Sequence, residues 1–240
     1  MRPRNKKNLN KRLLACGGVI ERDPASRRGR WAEGREAVRV EIGCGKGDFI
    51  TGLAARDPRI LYVGIECVES VLVIAAEKAV NAGLSNVVFV PGNALYMAEF
   101  FDPGEIDEIY LNFSDPWPKE RNQKNRLTGD TFMPLYVHLL KDGGLICQKT
   151  DNRPLFDFSV ETYKSYGCGL ETISYDLHHE SYYGGLGNIL TEYEKKFSEA
   201  GTPICYAKVR MPDRDSVRDR IDACLEAVRK RREFEARFGH

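Results

Sequence analysis

The stretch VRVEIGCGKG, residues 38–47, decides the fold class of this chain. Val38–Ile42 predicts a β-strand, and the pattern from Asp48 to Ala55 predicts a short helix directly after it. Three glycines at alternate positions between them let the backbone pass close to a ligand without side-chain obstruction. Their spacing is neither that of a Walker phosphate loop nor the dinucleotide-binding G-x-G-x-x-G pattern. The stretch therefore predicts a strand–loop–helix unit with a ligand at its loop.

Strand and helix patterns alternate beyond this unit. Strands are predicted at Ile60–Ile65, Val87–Val90, Ile106–Asn112 and Leu145–Lys149, and helices at Val68–Asn81, Ala94–Phe101, Asp130–Leu140 and Pro154–Tyr166. This alternation is typical of right-handed βαβ units and a mainly parallel sheet. Two late strands, Leu170–Leu177 and Pro203–Val209, are separated by a Gly-rich loop and a short polar helix, Thr191–Glu199. Because no full crossover helix joins them, we expect a reversed strand at one edge.

Composition limits the class of protein. The 240 residues, 42% of them hydrophobic, suffice for one large domain with a full core. Seven cysteines without a C-x-x-C pair predict a reduced, cytoplasmic protein, and the histidines show no zinc-site spacing, so we expect no metal. No apolar run approaches the ~20 residues of a membrane span, so we expect no membrane association. Leu13–Ile20 lacks the cleavage site of a signal peptide.

Three segments are predicted along the chain: a basic N-terminal arm (1–35), an α/β domain (36–210) and a C-terminal helical extension (211–240). Residues 1–39 carry twelve Lys or Arg and four acids, although the whole chain has a net charge of +1. Such an arm predicts binding of a polyanion such as nucleic acid. The alternative is that it is a disordered terminus that keeps the protein in solution. In the extension, apolar residues recur at helical spacing (Val217, Ile221, Leu225 and Val228). They favour a helix docked on the body, or offer an interface, so monomer and homodimer both remain open.

Polar residues at three strand ends indicate a nucleoside cofactor. Glu66 ends the second strand, where a ribose-binding acid would lie, and Asn93 follows the third, within reach of an adenine edge. Glu41 precedes Gly43 and Gly45 of the loop, and its charge would repel a pyrophosphate. The same carboxylate can serve the ammonium group of S-adenosylmethionine, directly or through water. We therefore expect a methyltransferase rather than a dehydrogenase.

The loop FSDPWPK, residues 113–119, predicts the acceptor side of the site. The fourth strand runs into Asp115, Trp117 and two prolines, which cannot continue a central strand. The loop therefore lies at the carboxyl end of the sheet, where open α/β sheets bind ligands. Trp117 either stacks on a base or, as we favour, fills the structure beneath the loop. Nearby cations are predicted phosphate contacts: Lys119, Arg121, Lys124 and Arg126.

The motifs together resemble those of the bacterial tRNA (guanine-N7)-methyltransferases. They are E-x-G-x-G-x-G from Glu41, GIE from Gly64, DPWPK from Asp115, KTDN from Lys149 and TEYE from Thr191. The resemblance implies a Rossmann-like S-adenosylmethionine-dependent methyltransferase fold, an α/β fold with a seven-stranded, mainly parallel sheet and a reversed last strand. It implies cofactor contacts at Glu41, Glu66, Asn93 and Asp115. It also implies a tRNA substrate, methylated in its variable loop, with contacts at Lys119, Asp151, Thr191, Glu192, Tyr193 and Glu194.

The chemistry of guanine N7 sets the expected mechanism. N7 has an available lone pair and no proton, so no general base is needed and orientation supplies much of the acceleration. We expect Asp115 to be the catalytic residue, accepting hydrogen bonds from the guanine N1–H and amino group, with Asp151 or Glu194 sharing that role. The alternatives are the same fold acting on another RNA or a small molecule, and an RNA-binding module without activity.

Overall fold

The computed structural model describes residues 6–179, 189–191, 193, 194 and 201–239. Its strands are β1 (Ala37–Ile42), β2 (Ile60–Glu66), β3 (Val87–Pro91), β4 (Ile106–Asn112), β5 (Leu140–Thr150), β6 (Gly169–Ser174) and β7 (Cys205–Arg210). Its main helices are α1 (Lys6–Ala15), α2 (Asp48–Arg56), α3 (Glu69–Asn81), α4 (Met97–Phe100), α5 (Met133–Leu139), α6 (Arg153–Ser165) and α7 (Arg218–Phe238). The alternation of strands and helices is as predicted, apart from the helix at Thr191–Glu199, most of which lies outside the described residues.

The seven strands form one sheet in the order β3-β2-β1-β4-β5-β7-β6. β1 to β5 pair in parallel, while β7 runs antiparallel to both β5 and β6. The predicted α/β fold with a reversed last strand is confirmed, but the reversed strand is not at the edge. β7 is mostly buried whereas half of β6 is exposed, so the more exposed strand takes the edge and the apolar strand is paired on both sides.

Alternate residues of the central strands build a core on each face of the sheet. On β2, Leu61 and Val63 belong to the cluster that α5 and α6 cover, whereas Ile60 and Tyr62 face α1 and α3. β5 begins at Leu140, earlier than predicted, because Leu140 already pairs with Ile106 of β4. Residues 141–144 then leave this ladder, and pairing with β4 resumes at Leu145. The helices therefore lie on both faces and leave the carboxyl ends of the strands accessible.

The basic N-terminal segment packs against the sheet domain. Trp31 is fully buried and its indole N–H donates to the Phe100 carbonyl at 2.8 Å. On the other face, the Arg12 guanidinium donates to both oxygens of Glu77, at 2.6 and 2.7 Å, and Leu13 is buried beside α3. The disordered alternative is therefore wrong for residues 6–35, while binding of a polyanion by their cations stays a prediction. Arg2 and Arg4 lie outside the described residues.

The C-terminal helix α7 docks on the body, as predicted. Ile221 and Val228 are buried in the same core as α5, and Leu225 packs against it. The apolar stripe is thus covered by the chain itself, so the expectation that it offers a subunit interface is wrong.

Two features bear on the class of protein. All seven cysteines are free thiols, five of them buried. In the part of the chain that the structure describes, no helix has the length and apolarity needed to cross a bilayer.

Candidate active site

Two adjoining cavities lie at the carboxyl ends of β1 to β4. Cavity A, about 500 Å³, lies against Glu66, Asn93, Asp115 and Trp117. Cavity B, about 410 Å³, lies against the glycine loop and Glu41; its wall also includes Phe49, Asn112, Phe113, Thr191 and Tyr193. Gly43, Asn112 and Phe113 border both cavities, so the two are halves of one elongated site.

The glycine loop owes its shape to backbone conformations that other residues rarely adopt. Gly43 and Gly45 have φ of 72° and 56°, and a Cβ on Gly43 would meet no atom within 4 Å. At Gly47 a Cβ would lie 2.5 Å from that of Ala75 on α3. The loop therefore packs tightly on α3 on one side and leaves open space for a ligand on the other.

Glu41 is a buried acid on the wall of cavity B. Its side chain is 2% exposed, and its Oε1 accepts a hydrogen bond of 2.8 Å from the Asn112 amide. Its Oε2 is buried and makes no hydrogen bond of ordinary geometry among the described residues, although the backbone N–H of Ile50 acts on the carboxylate and lowers its pKa. Burial raises the pKa of Glu41 to about 8, against the opposing effects of the Asn112 hydrogen bond and the Lys149 charge. A buried carboxylate with an unpaired oxygen suits a ligand that brings a cation, such as an ammonium group.

Glu66 and Asn93 lie on the wall of cavity A, as the sequence predicted. The Glu66 carboxylate accepts from the backbone N–H of Gly45 at 3.2 Å and of Val68 at 2.9 Å, which ties β2 to the glycine loop. The Asn93 Oδ1 caps the turn after β3 by accepting from Leu95 N–H at 2.9 Å. Both side chains are held by backbone groups, so they are pre-oriented at the cavity.

The loop after β4 is held in an unusual conformation on either side of Asp115. Phe113 and Trp117 have φ of 52° and 43°, and they are the two non-glycine residues with positive φ in the described ranges. Such conformations cost of order 1–3 kcal/mol each and cluster at functional sites. Asp115 itself is exposed, and Trp117 is half-buried on the wall of cavity A. Trp117 therefore lines the site, and whether its ring stacks on a base or fills space beneath the loop stays a prediction.

Arg126 holds this loop. Its Nε donates to the Pro116 carbonyl at 2.9 Å and its Nη2 to the Trp117 carbonyl at 3.3 Å. Its guanidinium lies 4.4 Å from the centre of the Phe158 ring, and the residue is 7% exposed. The prediction that Arg126 contacts phosphate is therefore wrong, because its donors are used inside the protein. Lys119, Arg121 and Lys124 are exposed.

The TEYE segment closes the site from the other side, although Glu192 lies outside the described residues. The Thr191 hydroxyl accepts from Glu194 N–H at 2.9 Å, the first half of a helix-capping box. The Tyr193 ring lies 5.0 Å from that of Phe113. Burial, together with the negative charges of Asp151 and Asp115, raises the pKa of Tyr193. Tyr193 therefore lies within the electrostatic influence of both carboxylates.

Glu194 occupies a different position from the other predicted substrate contacts. Its side chain is 0% exposed and its Oε2 accepts from the Lys149 ammonium at 3.1 Å, while His178 Nε2 lies 3.2 Å from its Oε1. Burial lowers the pKa of Lys149, and the Glu194 charge opposes that shift. In this arrangement Glu194 pairs with a buried lysine, which leaves Asp151 as the remaining predicted partner of Asp115.

Comparison with known proteins places this geometry in a family. A family model described as a putative methyltransferase matches residues 35–207. A tRNA (guanine-N(7)-)-methyltransferase of Listeria monocytogenes is 46% identical over 207 residues, which cover 85% of this chain and 95% of that protein. One from Lactococcus lactis is 42% identical over the same shares of the two chains. This chain belongs to the tRNA (guanine-N(7)-)-methyltransferase family.

Solved structures agree with the fold of the methyltransferase. One described as an antibiotic-related methyltransferase aligns with a TM-score of 0.55 at 18% identity, covering 88% of this chain and 95% of the other. The 16S rRNA methyltransferase KamB aligns with a TM-score of 0.57 at 14% identity, covering 76% and 91%. At these identities the likeness shows the Rossmann-like methyltransferase architecture alone.

Sequence reasoning missed three residues that shape the methyltransferase site. Asn112 bonds Glu41, and its signal was a polar residue at the last position of a strand. Lys149 pairs with Glu194 and lowers the pKa of Glu41, and its signal was the lysine that opens the KTDN motif at the end of β5. Arg231 of α7 lines cavity A, and nothing in the linear pattern placed it there.

Proposed function

We propose that this chain transfers the methyl group of S-adenosylmethionine to N7 of a guanine in tRNA, in the variable loop. The observation that carries the proposal is the unpaired, buried oxygen of Glu41 in cavity B. Asp115 lines the adjoining cavity A of the same site. The first suits the cationic end of the cofactor, and the second suits a base that must donate hydrogen bonds.

The residues present fit the cofactor from end to end. Glu41 would pair with its ammonium group, Glu66 would accept from the ribose hydroxyls, and Asn93 would meet the adenine edge. Gly43 and Gly45 have no side chains, so they would leave room for the part of the cofactor between its ribose and its ammonium group. S-adenosylmethionine supplies an electrophilic methyl group when bound.

The acceptor side orients and binds the guanine. Because N7 needs no deprotonation, Asp115 and Asp151 serve as acceptors for the guanine N1–H and amino group and offset the charge that the methylated base acquires. The base must leave its stack to enter, and Trp117 offers a face for stacking. Lys119, Arg121 and Lys124 are exposed for phosphate contacts. Thr191, Glu192 and Tyr193 complete the proposed substrate side, whereas the buried Glu194 pairs with Lys149 and does not contact the substrate directly.

The catalytic assignment is tested with Asp115→Asn, which keeps the shape of the side chain and removes its charge. At saturating cofactor, kcat on unmodified tRNA should fall about 100-fold or more, a loss that adding more S-adenosylmethionine should not restore. Asp219→Asn, at an exposed carboxylate in the first turn of α7, is the matched control. Turnover of Asp115→Asn close to that of the wild type would overturn the assignment.

The reaction itself is tested by radiolabelled methyl transfer onto unmodified total tRNA, followed by mapping of N7-methylguanosine. Label at another base or in ribosomal RNA would favour a different RNA acceptor, label in a small molecule a different substrate class, and absence of transfer a binding module. We further propose a cytoplasmic location, which seven free thiols suit, and either a monomer or a homodimer.

A further inference from the structure

Helix α7 lies beyond the part of the chain that the family model matches, which ends at residue 207. It nevertheless reaches the active site. Arg231, in the second half of the helix, lines cavity A together with Asn93 and Leu95. It also lines a neighbouring cavity of about 640 Å³ between α7 and the body, against Thr131, Tyr166 and Cys224 among others. The C-terminal extension is therefore part of the wall of the site.

The helix is fixed to the segment that follows Asn93. The Tyr96 hydroxyl donates to Glu235, and the Arg232 guanidinium lies 4.4 Å from the centre of the Tyr96 ring. Arg232 also pairs with Glu99 of α4 at 3.3 Å. Three contacts thus tie the end of α7 to Tyr96 and Glu99, next to the turn that the proposed adenine-binding residue caps.

Arg231 is itself oriented by this anchor. Its Nε donates to Glu235 Oε1 at 3.0 Å, one turn further along the helix, and this hydrogen bond holds the pKa of Arg231 above its usual value. Glu235 therefore connects Tyr96 to Arg231 and orients the guanidinium of a side chain that is 56% exposed on the wall of cavity A. A guanidinium carries only donors and has a flat face, whereas adenine offers ring-nitrogen acceptors and a π face.

We propose that α7 is a wall of the cofactor site and that Arg231 contacts the adenine end of the bound cofactor. The inference rests on the proposed function and adds a binding residue from a segment outside the family match. We assign Arg231 to the cofactor rather than to RNA because Asn93, the proposed adenine-binding residue, and Leu95 line the same cavity. Glu235 bonds Tyr96 in the same turn.

The test is calorimetric binding of S-adenosylhomocysteine to the full-length protein. Arg231→Met should raise Kd about tenfold, equivalent to ~1.4 kcal/mol. Arg231→Lys should recover little of the loss, because a lysine lacks the planar fork. The matched control is Arg229→Met on the same helix, whose side chain pairs with Glu226 and Glu233 and does not border cavity A. Melting curves of each variant identify any loss caused by unfolding.

A second ligand locates the contact. 5′-Methylthioadenosine has the adenine end of the cofactor and lacks its amino acid, so Arg231→Met should weaken it as much as S-adenosylhomocysteine. Glu41→Gln should weaken S-adenosylhomocysteine alone. Unchanged Kd values for Arg231→Met would overturn the inference, as would a rise confined to the KM for tRNA, which would assign Arg231 to the RNA surface. Wild-type protein that binds neither ligand would instead refute the proposed function.

Discussion

Glu41 shows how one buried side chain can destabilise the free protein and favour binding of a ligand. Its carboxylate is buried at the end of β1 with one oxygen bonded to Asn112 and the other unpaired. An unpaired buried oxygen is costly to the free protein, and that cost is recovered when a ligand supplies a donor. The same burial raises the pKa of Glu41 to about 8, because the protonated form is less costly to bury than the charged form.

Glu41→Gln should therefore change how the stability of the free protein depends on pH. The pKa of Glu41 is about 8 in the folded state, above its ordinary value of 4.5, so the wild-type protein loses stability as pH rises from about 4.5 through 8. Glutamine does not titrate. We expect Glu41→Gln to melt ~5 °C or more above the wild type at pH 9 and close to it at pH 5.

The control for this experiment is Glu161→Gln, at an exposed carboxylate of α6 that pairs with Lys164. Its melting temperature should follow that of the wild type at both pH values. An equal pH dependence of Glu41→Gln and wild type would contradict the raised pKa.

At the scale of an element, the loop after β4 depends on contacts that are distant in sequence. Its composition predicts stiffness, since two prolines fix φ. The orientation of Asp115 also depends on the positive φ of Phe113 and Trp117, and on Arg126, which bonds two carbonyls of the loop. The packing of Arg126 on Phe158 of α6 fixes that guanidinium in turn. A basic run in the sequence thus contains both surface cations and one buried structural arginine.

Arg126→Gln should destabilise the loop without affecting long-range attraction of RNA. Loss of charge-assisted hydrogen bonds to two carbonyls should cost ~1–3 kcal/mol and lower the melting temperature by a few degrees. The slope of log Kd for tRNA against log salt should stay unchanged, because a buried guanidinium releases no counterion from phosphate. Lys124→Ala, at an exposed cation near the same loop, is the comparison: it should lower the slope and leave the melting temperature unaltered. A smaller salt slope for Arg126→Gln would show that Arg126 contacts RNA phosphate after all.

At the scale of the whole molecule, the sheet separates a functional edge from a structural one. The carboxyl ends of β1 to β4 carry both cavities, and the exposed cations Lys119 and Arg121 follow β4 at that edge. The opposite edge also carries exposed cations, among them Arg56 and Arg59 at the loop between α2 and β2. Net charge is the same wherever a cation is removed, so the position of the lost charge can be tested by itself.

The double variant Lys119→Ala/Arg121→Ala should lower the salt slope of tRNA binding by ~1.5, the value expected for two lost phosphate contacts. Arg56→Ala/Arg59→Ala removes the same charge from the other edge and should leave the slope within ~0.3 of the wild type. Equal slopes in the two double variants would show that RNA does not use the edge that carries the cavities.

The sequence alone determined the architecture and most of the site's parts. Alternating strand and helix patterns predicted the parallel sheet, because burial on both faces needs continuous apolar runs and crossover helices. Glycine spacing and polar strand ends predicted Glu41, Glu66, Asn93 and Asp115 at one edge, because the carboxyl ends of parallel strands meet there. These are local signals: each depends on residues a few positions apart.

The tertiary structure alone decided which polar groups are buried, which are paired and which distant segments meet. Arg126 and Glu194 are internal, Trp31 anchors a segment whose charge predicted an arm, and Arg231 reaches the site from the last helix. None of these follows from composition or periodicity, because a side chain's environment is set by partners tens of residues away. The strand order also places β7 between β5 and β6, since pairing an apolar strand on both sides removes more surface from water than leaving it at the edge.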